Sequence, residues 1–517
     1  MTMTTSSTGV PARTEAARLI VPQAKAMTNS QPAPALQGGD VPLLFEKSTP
    51  STAPPALPVL DVPREDRGSI PAELRADQPP PLPELGELDV VRHYKRLAHR
   101  CFSIDGNFYP LGSCTMKYNP RVNERVAALA GFAHLHPYQD ESEVQGILEL
   151  MYRLRCYLAE IAGLPEVSLQ PAAGAHGELT ALMIINAYHE SRGQKRMKVL
   201  APDSAHGTNP ASCTICGRQS RSVRSKRDGR VDLDDLRSKV DEDTAALMIT
   251  NPNTTGVFDE QIADIAKIVH AKGAQVYLDG ANMNAILGIA RPGDFGVDCM
   301  HYNTHKTFST PHGGGGPGAG PVAVAEHLRP FLPVPQVIEK DDGTFGWCHD
   351  RPGSIGKVRS FFGQVGVLVR AYTYIRSLGR DGLKDVSEKA VLAANYLAAR
   401  LKDRYEMPFP PPYAHEFILV PHFEKQDIGE NDIAKRLIDY GIHPPTMSWP
   451  IHHCLMIEPT ETESLATLDE FVAVMKKIAD EIETNPDMVR SAPHTTPVRR
   501  LDEVAANRKP NVRWKSA

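Results

Sequence analysis

Short apolar runs that each end in a polar, small-residue turn recur through the middle of this chain, with helical periodicity between them. Ile147, Leu150, Met151, Leu154, Leu158 and Ile161 share one face of a helix over 147–164, and 177–190 and 260–272 also read as helices. Between and after them, 197–201, 245–250, 274–278, 299–303 and 321–325 read as short buried strands. Strands alternating with helices predict an α/β domain built on a parallel or mostly parallel sheet covered on both faces. From Phe361 the pattern turns helical through Tyr405. A strand at 417–420, a helix from Asn431, a strand at 454–457 and a helix from Glu463 then predict a smaller α+β domain.

The expected division is an extended arm at 1–83, a large domain at 84–360, a small domain at 361–485 and a polar tail at 486–517. The arm holds 15 of the 44 prolines, and proline withholds a backbone donor and resists helix and sheet interiors.

Neighbouring strands of a parallel sheet deliver their ends to one edge, where ligands of open α/β sheets bind. The apolar run Tyr277-Leu278 ends in Asp279, and one strand-and-turn later comes His305-Lys306, followed by glycines at 313–316. An amine, a carboxylate at a strand end and bare backbone for a phosphate are the three requirements of pyridoxal 5'-phosphate. The amine condenses with the aldehyde, the carboxylate keeps the ring nitrogen protonated, and backbone donors take the phosphate. Three more turns join this edge. The small residues of 170–178, including Gly174, Ala175 and His176, precede a helix whose positive end suits a phosphate. His206 in 203–209 is placed to stack over an aromatic ring, and Thr250 and Asn251 in 250–256 are placed for a ring oxygen or a substrate carboxylate.

A net charge of −5 gives no basic surface for nucleic acid or membrane. No apolar run approaches the roughly 20 residues of a spanning helix, and no secretory signal is read at the start. Eight scattered cysteines form no disulfide framework, so a cytoplasmic location is expected. Cys213 and Cys216 have CxxC spacing without a second pair, and no metal site is expected there.

The runs 108–120 (FYPLGSCTMKYNP), AAGAHGEL, DSAHGTNPAS, TNPNTTG, LDGAN and NTHKTFSTPHGGGGPG resemble the glycine-cleavage P-protein family. Within it they are most similar to the β subunit of the split, two-chain form. That resemblance implies a fold-type I pyridoxal-phosphate enzyme of the oxidoreductase class. Such an enzyme decarboxylates glycine and passes the aminomethyl group to the lipoyl arm of the H-protein. It also implies an α subunit as partner and an α2β2 assembly. Residue by residue, it implies that Lys306 bonds the cofactor, Asp279 pairs with the ring nitrogen, and Ala281 and His206 cover the two ring faces. Gly174, Ala175 and His176, with Thr307, would contact the phosphate. Asn251 and Thr250 would lie near the ring oxygen or substrate, and His305 would position the lysine or shuttle protons.

Alternatives are another fold-type I enzyme or a non-catalytic scaffold. An aminotransferase needs an arginine such as Arg359, Arg370 or Arg376, and a cysteine desulfurase needs a reactive cysteine such as Cys348. The glycines at 313–316 lack the Gly-Lys-Ser/Thr that would complete a nucleotide-binding P-loop.

Overall fold

The computed structural model describes residues 41–48, 59–63, 67–76, 78, 80, 82–313, 318–423 and 427–513. Gly314–Gly316, residues 1–40 and much of the proline-rich arm lie outside the described residues.

Seven strands form the central sheet: β1 (Glu166–Ser168), β2 (Lys198–Pro202), β3 (Gln219–Val223), β4 (Thr244–Thr250), β5 (Gln275–Asp279), β6 (Cys299–His301) and β7 (Val322–Val324). Their order is β1-β7-β6-β5-β4-β2-β3. Only β7 runs antiparallel to its neighbours, so the sheet is mostly parallel, as the alternation predicts. All seven residues of β4 and all five of β5 are buried, which is the continuous apolar pattern of a sheet covered on both faces. In register, Thr250 lies opposite Asp279, so the ends of β4 and β5 open side by side.

Helix α1 (Gln145–Ala162) buries Ile147, Leu150, Met151, Leu154 and Leu158 in the large core and leaves Ile161 half-buried. Helix α2 (Gly174–Ser191) follows β1, and helix α3 (Thr208–Ile215) follows β2. Helix α4 (Ile262–His270) links β4 to β5.

After a hairpin of β8 (Gln336–Glu339) and β9 (Phe345–Cys348) comes the long helix α5 (Val365–Leu401), which bends at Gly379. Its first half packs into the large core, and from Ala393 it packs into a second core. That second core covers a three-stranded antiparallel sheet of β10 (Phe417–Leu419), β11 (Thr446–Met447) and β12 (Leu455–Ile457), with helices α6 (Glu430–Asp439) and α7 (Leu465–Thr484). The two cores do not divide at one point of the chain. Phe108 packs into the second core, Leu111 bridges to Ile457, and Val489 is buried there too.

Candidate active site

The exits of β1, β2, β4, β5 and β6 converge on a cleft of about 220 Å³. Asp279 ends β5 and is 3% exposed. Its Oδ1 accepts the Ala281 N–H at 3.0 Å, and its Oδ2 accepts from Asn209 Nδ2 at 3.3 Å, so the carboxylate is fixed while one edge stays open. The buried His301 at the end of β6 stands 3.6 Å from Oδ1, and burial lowers its pKa, which keeps it neutral. Gly280 lets these two exits touch, since a Cβ there would lie 1.8 Å from the His301 carbonyl oxygen.

The other wall is the start of α2. Ala173, Gly174 and Ala175 line the cleft. A Cβ on Gly174 would sit 2.6 Å from the Asn303 amide, so only glycine brings this helix end so close to the exit of β6. The first N–H groups of a helix have no intrahelical acceptor and carry its positive pole. Gly177 N is bonded back to Ala173 O, and the residues ahead of it, Gly174 and Ala175, line the cleft, so this helix start suits an anion.

Lys306 enters from the helical turn Thr304–Thr307, with His305 beside it. Burial and the Lys306 charge push His305 down to about 3, so it is a neutral imidazole, edge-on to His312 with ring centroids 4.9 Å apart. His206 stands over the cleft beside Trp449, with ring centroids 5.8 Å apart. Its Nδ1 lies 2.7 Å from Thr208 Oγ1, which donates to Glu178 Oε1 at 2.8 Å.

Eight of the eleven residues expected from sequence line this cleft: Gly174, Ala175, His206, Thr250, Asp279, Ala281, His305 and Lys306. Three do not. Asn251 lies outside the lining, and each end of its amide bonds the Asp259 backbone (Asp259 N to Oδ1 2.8 Å, Nδ2 to Asp259 O 3.2 Å). His176 lies outside the lining and accepts the Ala172 N–H at 3.1 Å with its Nδ1. Thr307 is fully buried behind the lysine, its carbonyl accepting from Lys117 Nζ at 3.1 Å.

Glu178 was missed, although it sits four residues after Gly174 and therefore on the same helix face. Burial and the neighbouring Asp279 charge push its carboxyl up to about 8. A carboxyl raised in the folded state binds more protons folded than unfolded, so its contribution to stability falls as pH rises from about 4.5 to about 8. Glu178→Gln is expected to raise the melting temperature of the cofactor-free chain at pH 8.5 by a few degrees and to change it little at pH 4.5. Thermal unfolding at the two pH values checks this, and an equal shift at both contradicts it.

Residues 65–340 match the family model described as glycine cleavage system P-protein, and residues 386–496 match that of the glycine dehydrogenase C-terminal domain. The chain belongs to the glycine cleavage system P-protein family. A relative from Bacillus licheniformis, named "Probable glycine dehydrogenase (decarboxylating) subunit 2", is 54% identical over 480 residues, covering 92% of this chain and 99% of the relative. One of the same name from Chlorobium chlorochromatii is 55% identical over 472 residues, covering 90% and 98%.

Among solved structures, an inhibitor-bound glycine decarboxylase (P-protein) superposes with a TM-score of 0.68 at 21% identity, covering 80% of this chain and 94% of that one. A sphingosine-1-phosphate lyase from Burkholderia pseudomallei does so with 0.62 at 14%, covering 81% and 96%. At these identities the likeness is one of fold, and the fold is that of the fold-type I pyridoxal-phosphate enzymes.

The alternative enzymes are not favoured. Cys348 sits at the end of β9 outside the cleft, Arg359 does not line the cleft either, Arg370 is paired to Glu124 at 2.7 Å, and Arg376 donates to the Tyr157 hydroxyl. A wider cleft of about 850 Å³ opens between α1 and α5. Arg291 there is paired to Glu160 and Asp294, so the concentrated chemistry lies in the smaller cleft.

Proposed function

We propose that this chain is the catalytic subunit of a glycine-decarboxylating enzyme that binds pyridoxal 5'-phosphate, releases carbon dioxide and transfers the aminomethyl group to a lipoyl arm carried by an H-protein. The observation that carries the reading is one cleft holding the Lys306 amine, the Asp279 carboxylate and the open N–H groups at the start of α2. Those groups fit the cofactor's aldehyde, ring nitrogen and phosphate respectively. When bound, the cofactor supplies an electron sink for the bond to the departing carboxylate.

The chain's own residues do the rest. Lys306 would hold the cofactor through its amine, and Asp279 would keep a proton on the ring nitrogen. Its fixed hydrogen bonds from Ala281 and Asn209 mean that no reorganisation is needed when charge develops. Gly174 and Ala175 would hold the phosphate, and His206, kept uncharged by burial, and Ala281 would cover the ring. His305 stays neutral and so takes no anion from the site.

Ser113, within the run PLGSCTMK, lines the cleft and offers small-residue backbone along which a lipoyl chain can enter. The relatives are named as a second subunit, which supports a first-subunit partner here; the reading includes an α2β2 assembly. Among the described residues no helix is long and apolar enough to cross a membrane, and the reading includes a cytoplasmic location.

Purification together with a subunit-1-like protein tests this. Carbon dioxide should be released from carboxyl-labelled glycine only when both chains and a lipoylated H-protein are present. Release that ignores the lipoyl acceptor, or amino transfer to a keto acid, overturns the reading.

A further inference from the structure

Two carboxyl groups and an imidazole lie buried by the cleft with no role in the account so far. His415 and Glu416 lead into β10 and Glu458 leaves β12. The antiparallel pairing of these strands, Phe417 opposite Ile457, brings the three together. Each is 0% exposed, and one ligating atom from each lies within 4.8 Å of the others. The cleft-lining run holds one oxygen of each acid: Ser113 N donates to Glu416 Oε2 at 2.7 Å and Thr115 N to Glu458 Oε2 at 3.0 Å. Each remaining oxygen, Oε1, has no hydrogen-bond partner and faces His415 Nε2, at 3.7 and 3.8 Å respectively. Neither nitrogen of His415 has a partner.

Two carboxylates in so dry a place cannot both stay charged without cations to balance them. The titratable groups acting on the cluster are Lys306, Lys117, Glu461 and the Cys114 thiol. Lys117 is bound to Glu461 at 2.6 Å, and that pair cancels. Among the described residues this leaves Lys306, which shares its cleft with Asp279 and Glu178, as the cation for two further acids, one of which must carry a proton. Burial pushes Glu416 well above the usual carboxyl range and Glu458 up to about 7, Lys306 pulls both back, and burial holds His415 down to about 3.

We propose that Glu416 and Glu458 keep one exchangeable proton between them, coupled to the charge on Lys306, and that this proton goes to the sulfur released during aminomethyl transfer. The second half rests on the function proposed above. Both glutamates are positioning residues, because they act through Lys306.

Glycine arrives as an ammonium and sheds one proton to become a nucleophile; that proton passes by way of the Lys306 nitrogen to a carboxylate of the pair, an O–H bond forming there as the glycine N–H bond breaks. After carbon dioxide leaves, the electron pair on the remaining carbon forms a C–S bond to one dithiolane sulfur. The S–S bond breaks and its electrons go to the second sulfur. That thiolate takes the stored proton by way of the Lys306 amine. The glycine carbon is oxidised, the disulfide is reduced, and no outside proton or electron is needed.

Infrared spectroscopy of the full-length, cofactor-free chain tests the coupling by following the C=O stretch of protonated carboxyl groups against pH. Measured in a Glu178→Gln/Glu463→Gln background, which removes the other raised carboxyls among the described residues, a buried-acid band should persist well above the usual carboxyl range and vanish in the double variant Glu416→Gln/Glu458→Gln. Lys306→Met should move the midpoint up by about one pH unit or more, because a neighbouring cation favours the carboxylate. That variant leaves the pair intact, so the test stands even where the double variant does not fold. An absent band, a band that survives in the double variant, or an unmoved midpoint in Lys306→Met overturns the proposal. So does a divalent metal retained in stoichiometric amount and lost with His415→Ala.

No glycine is present in these measurements, so they stand apart from the decarboxylation reading. In a second arm with glycine and lipoylated H-protein, the glutamine variants should lose kcat increasingly as pH rises while KM for glycine holds. A loss equal at every pH overturns the sulfur-protonation half.

Discussion

Lys306→Ala will lower glycine-dependent carbon dioxide release at least about a thousandfold, roughly 4 kcal/mol of barrier, while leaving the fold intact. The lysine is only half-buried and its side chain belongs to neither core. The turn that carries it is held by backbone bonds that alanine keeps, Lys306 N and Thr307 N both donating to Asn303 O. Alanine therefore removes the amine and little else. The walls made by Asp279 and the start of α2 remain, so the variant should still take up pyridoxal 5'-phosphate, now without a covalent bond. Borohydride should fix the cofactor to the native chain at Lys306 and leave the variant unlabelled. Circular dichroism and melting temperature check the fold, and labelled glycine checks the chemistry. Labelling at another lysine, or activity above about one hundredth of the native value, contradicts the assignment of the amine, since such a residue amounts to less than roughly 3 kcal/mol of barrier.

Much of this site was legible because its chemistry sits where strands end. β4 and β5 read as strands from their unbroken apolar runs, and the polar residues that stop those runs, Thr250 and Asp279, fall on the cleft. β3 was not legible: its sequence, Gln219-Ser220-Arg221-Ser222-Val223, is that of an exposed sheet edge, where alternation against a core is lost. Asn251 was harder to place, because an amide after a strand serves a ligand or its own turn equally well, and here it bonds the Asp259 backbone. Glu416 and Glu458 were hidden for another reason. Each looks like a carboxylate beside a short apolar strand, and only the pairing of strands some forty positions apart, with the 113–115 run laid against them, shows them to be buried together. Glu178 carried a usable signal, its four-residue spacing from Gly174, which was not drawn on.

Asp279→Asn should keep the cofactor and lose activity by about a hundredfold to a thousandfold, roughly 3–4 kcal/mol. Asparagine can still accept the Ala281 N–H through its oxygen, so the turn after β5 survives. It has no negative charge, and the charge is the part proposed to hold the ring nitrogen protonated. A carboxylate buried to 3% exposure favours the protonated ring nitrogen opposite it. Each pKa unit lost there is worth about 1.4 kcal/mol of electron-withdrawing power. The neighbours sharpen the effect, because burial keeps His301 neutral and Glu178, raised to about 8, is protonated at pH 7. Neither can replace the missing charge. Cofactor content by absorbance and kcat by carbon dioxide release separate the two consequences. Full activity with bound cofactor would mean that the ring nitrogen is not paired at Asp279, and loss of cofactor without loss of fold would make the residue an anchor instead of an electronic control.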